Sequence, residues 1–318
     1  MLNQTFFGRR GSHIGSKHQQ LDINNQDACI VDTFCSRVTK KRYYYGVLSD
    51  GCTGMPMFSR TEVGSNLLTT FLFGEIQKLL RTGASPESIV DGLFQRCAQT
   101  INAVTNLIVP PTVHWPYPID FSGKHAFRND LDATQRFQVD YFSATIIGFI
   151  ADNEDIIVFS SGDGIIMVND QIDIIDQNDE PDYIANSLYK PAKKFESKQY
   201  RMEDIDTFGI MTDGMKHLTA DPELLTQIFE VVTDPSDLMA SLKLQTLLNK
   251  VIDDRPEDYE DDYTAVTLQR VGYDPLTSVE AVTETIDETE ALAEEEPETE
   301  TTETTPKKGV KLPWQRTS

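Results

Sequence analysis

Four aspartates of this chain sit where apolar runs begin or end. Asp50 closes YYYGVLSDG, Asp213 follows FGIMT, Asp261 opens DDYTAV and Asp163 lies in SSGDG. Carboxylates at strand ends can converge on one edge of a sheet, where they repel one another unless a cation stands among them. Hard cations such as Mg and Mn take oxygen ligands of this kind, from carboxylates, backbone carbonyls and water. Gly51 and Gly214 follow two of the aspartates, and glycine lets the backbone turn tightly and approach an ion. Asp-Gly is also a favoured turn dipeptide for its own geometry, so one such turn carries no chemistry. The recurrence of these turns behind apolar strands points to a metal site.

Other chemistries find less support. No Ser/His/Asp set suited to nucleophilic catalysis stands out, and the four cysteines, Cys29, Cys35, Cys52 and Cys97, form no CxxC pair. Their spacing fits neither a zinc site nor a dense disulfide framework; they read as reduced thiols, mostly buried. The formal charge is −23. From Asp274 onward there are 12 acids and 4 bases, which leaves the body near −15. Such a balance argues against nucleic acid, whose phosphates need Lys and Arg. No apolar run is long enough to span a membrane, and MLNQTFFGRRGSHIG lacks the features of a secretory signal. A cytoplasmic protein is the expectation.

The elements that must position the aspartates are legible in part. Residues 1–272 read as one globular domain, and 273–318 as a disordered acidic Thr/Glu-rich tail with a short basic end, GVKLPWQRTS. YYYGVLSDG reads as a strand feeding a turn. Ser59 and Glu62 form an S-x-x-E capping box, followed by a helix with Val63, Leu67, Leu68 and Phe71 at helical spacing. Ser85-Pro86 starts a second helix, with Ile89, Leu93, Cys97, Ile101 and Val104 on its apolar face. Val109 to Val139 shows no period and reads as a long loop, with His114, Trp115, Tyr117, His125 and Arg128 as candidate contacts for a partner. Short strands follow from Phe142 to Ile175 and at FGIM, then helical stretches at PELLTQIFEVV and DLMASLKLQTLLNKVI, and a last strand at TAVTLQRV. This order predicts a layered α+β fold.

The chain resembles the metal-dependent protein phosphatases, the type 2C family. The resemblance lies in NNQDA (Asn24 to Ala28), SDGCTG (Ser49 to Gly54), SRTEVG (Ser59 to Gly64), FSATIIG (Phe142 to Gly148), GDG (Gly162 to Gly164), TDG (Thr212 to Gly214) and DDYTAV (Asp261 to Val266). The segments follow the family's order over roughly residues 10 to 270 and look closest to a bacterial branch carrying NQDA and SDGC. The resemblance implies an αββα sandwich of two antiparallel sheets flanked by helices. It implies two Mn or Mg ions and hydrolysis of a phosphoserine or phosphothreonine protein by a metal-activated water. Asp50 would bridge both ions, the Gly51 carbonyl would bind one, and Asp213 and Asp261 would hold the other. Asp163 would lie near a weaker third ion; Gln26, Asp27 and Asp262 would orient the surrounding waters and ligands. A partner kinase and a monomeric state are further expectations.

Four positions depart from the family pattern. Asp22 stands where an Arg grips phosphate, and Arg9, Arg10, His13 and Lys17 are the candidate substitutes. Gln26 replaces a Glu, Cys52 a His, and His217 an acid. These changes keep a second reading open, a weak or inactive phospho-binding regulatory module.

Overall fold

Strand β3 (Arg42–Gly51) shows how the layers arise. It is buried without a break from Tyr43 to Ser49. Successive side chains of a strand point to opposite faces. Tyr43, Tyr45 and Val47 pack among Leu68, Leu72 and Ile76 of a helix, while Tyr44 and Leu48 pack among Phe208, Val266 and Leu268 of a second sheet. A continuous apolar run is what a strand covered on both faces requires.

The computed structural model describes residues 6–52, 60–109, 131–169, 171–177, 182–188, 193–221, 224, 228 and 242–271. One sheet has the order β2 (Ala28–Cys35), β3, β4 (Ala144–Ala151), β5 (Asp155–Ser161) and β8 (Glu196–Arg201). The other runs β1 (Phe6–His13), β10 (Tyr263–Arg270), β9 (Thr207–Met211), β6 (Gly164–Val168) and β7 (Gln171–Ile175). Each pair of neighbouring strands in these two sheets is antiparallel. The Phe149 and Phe208 rings, 5.1 Å apart and edge to face, join the two sheets. Helices α2 (Thr61–Thr82) and α3 (Pro86–Ile108) cover the first sheet. Helix α6 (Lys243–Asp254) covers the second through Leu244, Leu248 and Ile252, beside Ile165, Met211 and Ala265. Short helices α1 (Ser16–Gln20), α4 (Ala133–Phe142) and α5 (Ile184–Ser187) complete the set used below. The two-sheet α+β architecture is the one anticipated, and among the described residues no helix is long and apolar enough to cross a membrane.

Several local expectations need correction. Ser59, the expected capping residue, lies outside the described residues; helix α2 begins at Thr61 with Arg60 as its N-cap and no side-chain cap. Its buried stripe runs through Ser65, Leu68, Leu72, Ile76 and Leu80, whereas Val63 faces solvent. The loop expected up to Val139 ends earlier. Asp132 and Gln135 form a reciprocal capping box that starts α4, and Phe137 and Phe142 are buried against the α2–α3 core. The candidate contacts His114 to Arg128, most of PELLTQIFEVV and the acidic tail lie outside the described residues. Helix α3 starts as expected, with Ser85 Oγ accepting from Ser88 N at 3.3 Å.

Candidate active site

The aspartates gather because strand ends from both sheets meet at one end of the sandwich. Gly51, ending β3, pairs with Ala144, beginning β4. Met211, ending β9, pairs with Ile165 of β6 and Ala265 of β10. Gly162 and Asp163 carry the chain from β5 in one sheet to β6 in the other. Gly162 has φ 92°, and a Cβ there would fall 2.7 Å from Thr145 Cγ2, so only glycine makes this crossing without strain.

Asp50 occupies the position of β3 that faces the other sheet, two residues beyond Leu48. Its carboxyl meets that of Asp213. Burial first, then the charges of Asp27, Asp213 and Asp261, push Asp50 well above the ordinary carboxylate range. Asp27 is buried and accepts a 3.0 Å hydrogen bond from Thr212 Oγ1, a link from one sheet to the other. Burial, helped by the charge of Asp262, raises it strongly as well. Asp261 is the exposed member; desolvation still raises it, and Asp213 adds to the shift while His18 opposes it. Asp213 lies at the start of a 3-10 helix (Asp213–Ala220), with Lys216 Nζ 3.8 Å from its Oδ2. Gly214 presses on the facing turn, where an added Cβ would meet the Asp262 carbonyl at 2.1 Å.

Asp262 ties the surrounding backbone together. Its Oδ1 accepts from Gly15 N at 2.8 Å and its Oδ2 from Gln26 N at 2.6 Å. His18 Nδ1 stands 2.9 Å from Asp262 Oδ1. Burial works most strongly against a charge on His18, yet the bond to Asp262 and the charges of Asp262, Asp261 and Asp27 together raise its pKa. Gln26 donates from Nε2 to Thr61 Oγ1 at 2.8 Å, and its carbonyl accepts from Ser65 Oγ. Gly51 fits between Gln26 and Thr61, where a Cβ would lie 2.8 Å from Thr61 Oγ1.

Asp163 has a backbone partner of its own. Its Oδ1 accepts from Gln177 N at 3.1 Å. Burial raises it most, Lys216 works against that, and Asp213 works with it. Cys52 is a turn residue: its N donates to Ser143 O at 2.9 Å and its carbonyl accepts from Thr61 Oγ1 at 3.3 Å. The Tyr183 hydroxyl lies against its thiol, and burial, followed by Cys52, Asp50 and Asp163, raises that phenol.

Among the four candidate substitutes for a phosphate-gripping Arg, Arg9 is buried with Nη2 on the Ile228 carbonyl at 2.8 Å. Arg10 Nη1 donates to Cys29 O at 2.6 Å, and His13 Nδ1 lies 2.7 Å from Ile14 O. Lys17 is exposed on α1, and His217 is exposed too. The sequence reading missed His18, Thr61, Thr212, Tyr183 and Lys216. Thr61 and Thr212 lie within the SRTEVG and TDG segments but were not singled out there, and His18, Tyr183 and Lys216 lie in no such segment; each matters through a neighbour reached only by folding.

Among the described residues, no three His, Cys, Asp or Glu side chains are drawn up as a ready metal cage. The fit to a cation rests on the field. The Asp50 carboxyl meets that of Asp213, and burial together with the charges of Asp27, Asp213 and Asp261 raises it; the buried Gln26 Oε1 has no hydrogen-bond partner among the described residues. All donors are hard oxygens, the set Mg and Mn prefer.

The family model for protein phosphatase 2C matches residues 14–249. The chain belongs to the protein phosphatase 2C family. Among solved structures of this fold, a bacterial serine phosphatase bearing an arginine substitution is 11% identical, covers 84% of this chain and 99% of its own, and has a TM-score of 0.51. The catalytic domain of the serine/threonine phosphatase PstP, in complex with two manganese ions, is 10% identical, covers 84% and 100%, and has a TM-score of 0.50. Stp1 from Staphylococcus aureus is 13% identical over 86% and 96%, with a TM-score of 0.48. No curated protein matches the chain. Identities this low speak for the type 2C fold alone; the family rests on the model match.

Proposed function

We propose that this phosphatase 2C chain is an active metal-dependent serine/threonine protein phosphatase. The observation that carries the reading is the approach of Asp50 and Asp213, with Asp27 and Asp261 in the same field. Like charges held this close oppose their own burial, and divalent cations remove the conflict. Asp50, the Gly51 carbonyl, Asp213 and Asp261 are the groups assigned to hold Mn or Mg; Asp163 is a weaker, third position. The manganese ions of PstP support the choice of cation. When bound, the metal supplies positive charge for the phosphoryl oxygens and a water acidified for attack.

The chain's own residues do the rest. Thr212 holds Asp27 across the two sheets, and Thr61 holds the Gln26 amide, so both remain fixed beside Asp50. Gln26 keeps its Oε1 for a water and contributes no charge. Lys216, beside Asp213 and acting on Asp163, is assigned to the phosphoryl oxygens in place of the family arginine. Cys52 has no proton-transfer role and serves the turn. The substrate is a phosphoserine or phosphothreonine protein, acted on in the cytoplasm by a monomer opposite a partner kinase.

The test is hydrolysis of para-nitrophenyl phosphate and a phosphothreonine peptide during titration with Mn or Mg, with Asp213→Asn as control. Metal-dependent turnover that the variant lacks supports the proposal. Equal inactivity of both proteins with every metal contradicts it and favours a phospho-binding regulatory module.

A further inference from the structure

We propose that His18 is a positioning residue for the metal centre, acting through Asp262 to hold Asp261 in place; the inference rests on the reading of Asp261 as a metal ligand. His18 lies on α1, a helix of five residues, and is 4% exposed. The segment that carries it is pressed onto the turn before β10. Ser16 N donates to Tyr259 O at 2.9 Å and Lys17 N to Glu260 O at 3.1 Å. A Cβ on Gly15 would fall 2.0 Å from the Asp261 carbonyl. The contacts bring the His18 ring between two consecutive carboxylates, with Nδ1 2.9 Å from Asp262 Oδ1 and Nε2 3.9 Å from Asp261 Oδ1.

Three groups thereby converge on Asp262: Gly15 N and Gln26 N donate to it, and the ring nitrogen approaches it at 2.9 Å. The two backbone donors fix where the Asp262 oxygens lie, and the ring closes the third side. Asp261 has no such cradle. Its side chain is 58% exposed, and its Oδ1 accepts a local bond from Asp262 N at 2.8 Å. A carboxylate so placed swings unless its backbone and its partner carboxylate are held. Helix α1 is already tied by its own backbone to Tyr259 and Glu260, so the ring is not needed to attach it. The ring's contribution is the orientation of the Asp261–Asp262 pair. Groups that orient metal ligands in this way change metal affinity about 10–100-fold when removed.

The experiment compares the full-length wild-type protein with His18→Ala, His18→Asn and His18→Gln. Mn affinity is measured by calorimetry, with kcat and KM for para-nitrophenyl phosphate at saturating Mn. Asn places an amide donor near the Nδ1 position; Gln carries it toward Nε2 and leaves Asp262 unmet. Expected are Mn binding about 10–100-fold weaker in His18→Ala, recovery to within about threefold in His18→Asn, and kcat restored by excess Mn. If His18→Ala does not fold, the inference requires His18→Gln to bind Mn at least about tenfold more weakly than His18→Asn. Folded variants that all bind Mn as wild type does overturn the role of His18 alone. Wild-type protein that binds no Mn overturns the metal reading beneath it as well.

Discussion

Substitution of Gly214 by alanine tests whether the two acidic turns must touch. Gly214 follows Asp213, and a Cβ there would stand 2.1 Å from the carbonyl oxygen of Asp262, with Asp261 Cβ at 3.7 Å on the same side. The obstacle is backbone, held by the antiparallel pairing of β9 and β10 and by Thr212 N donating to Thr264 O at 3.0 Å, so no side chain can swing aside. The gap has to widen from 2.1 Å to at least the 3.4 Å of ordinary contact, an opening of about 1.3 Å between the turns of Asp213 and Asp261. Forced overpacking of this kind costs roughly 1–3 kcal/mol. A misplacement near 1 Å at reacting groups costs about 100-fold in rate. Gly214→Ala is therefore expected to fold, with a modest loss in urea midpoint, to bind Mn more weakly and to hydrolyse para-nitrophenyl phosphate about 100-fold more slowly. Wild-type Mn affinity and wild-type turnover in this variant would refute the argument that close approach of these turns builds the site.

Other outcomes follow from the same geometry. Asp50 has a folded-state pKa raised by burial and by its acidic neighbours. A carboxyl raised in this way stabilises the fold fully below its ordinary value of 3.8 and loses that contribution as pH rises through the raised value. Metal-stripped wild type should lose thermal stability from weakly acid to neutral pH, Asp50→Asn should lose less, and Mn should reverse the loss in wild type; parallel melting profiles for the two stripped proteins would count against the clustered charge. Lys216→Met should raise KM for para-nitrophenyl phosphate about tenfold or more, as expected for a lost charge-assisted contact, with a smaller change in kcat. An unchanged KM removes Lys216 from phosphate binding. Leu72, fully buried between α2 and the first sheet, should cost about 2–5 kcal/mol on replacement by alanine, and a loss below about 1 kcal/mol in urea unfolding would contradict that packing.

What the sequence could reveal divides by burial. Strands β3, β4 and β9 are covered on both faces and stand out as apolar runs. Strand β8, ESKQYR, is exposed along nearly its whole length at a sheet edge, and β1, FFGRRGSH, hides Arg9 among polar neighbours. Neither alternates in a way that marks a strand, although charged side chains are common on edges. Helix α4 was hidden by proline-rich surroundings, yet its Asp132-x-x-Gln135 box was there to be read. At the site, acidic turns and motif order pointed to Asp50, Asp213 and Asp261 as candidates, and the strand ends that carry them meet at one end of the two sheets. No such signal pointed to the partners that hold these aspartates. His18 meets Asp262 across 244 positions, and Thr212 meets Asp27 across 185, and such pairs leave no local pattern.

The central claim is tested most directly by phosphate release from a phosphothreonine peptide, using the full-length chain stripped of metal and then supplied with Mn. The account predicts negligible release before Mn, turnover after it, and no turnover in Asp50→Asn under the same conditions. Release that does not depend on Mn, or that survives in Asp50→Asn, would contradict a reaction built on these carboxylates.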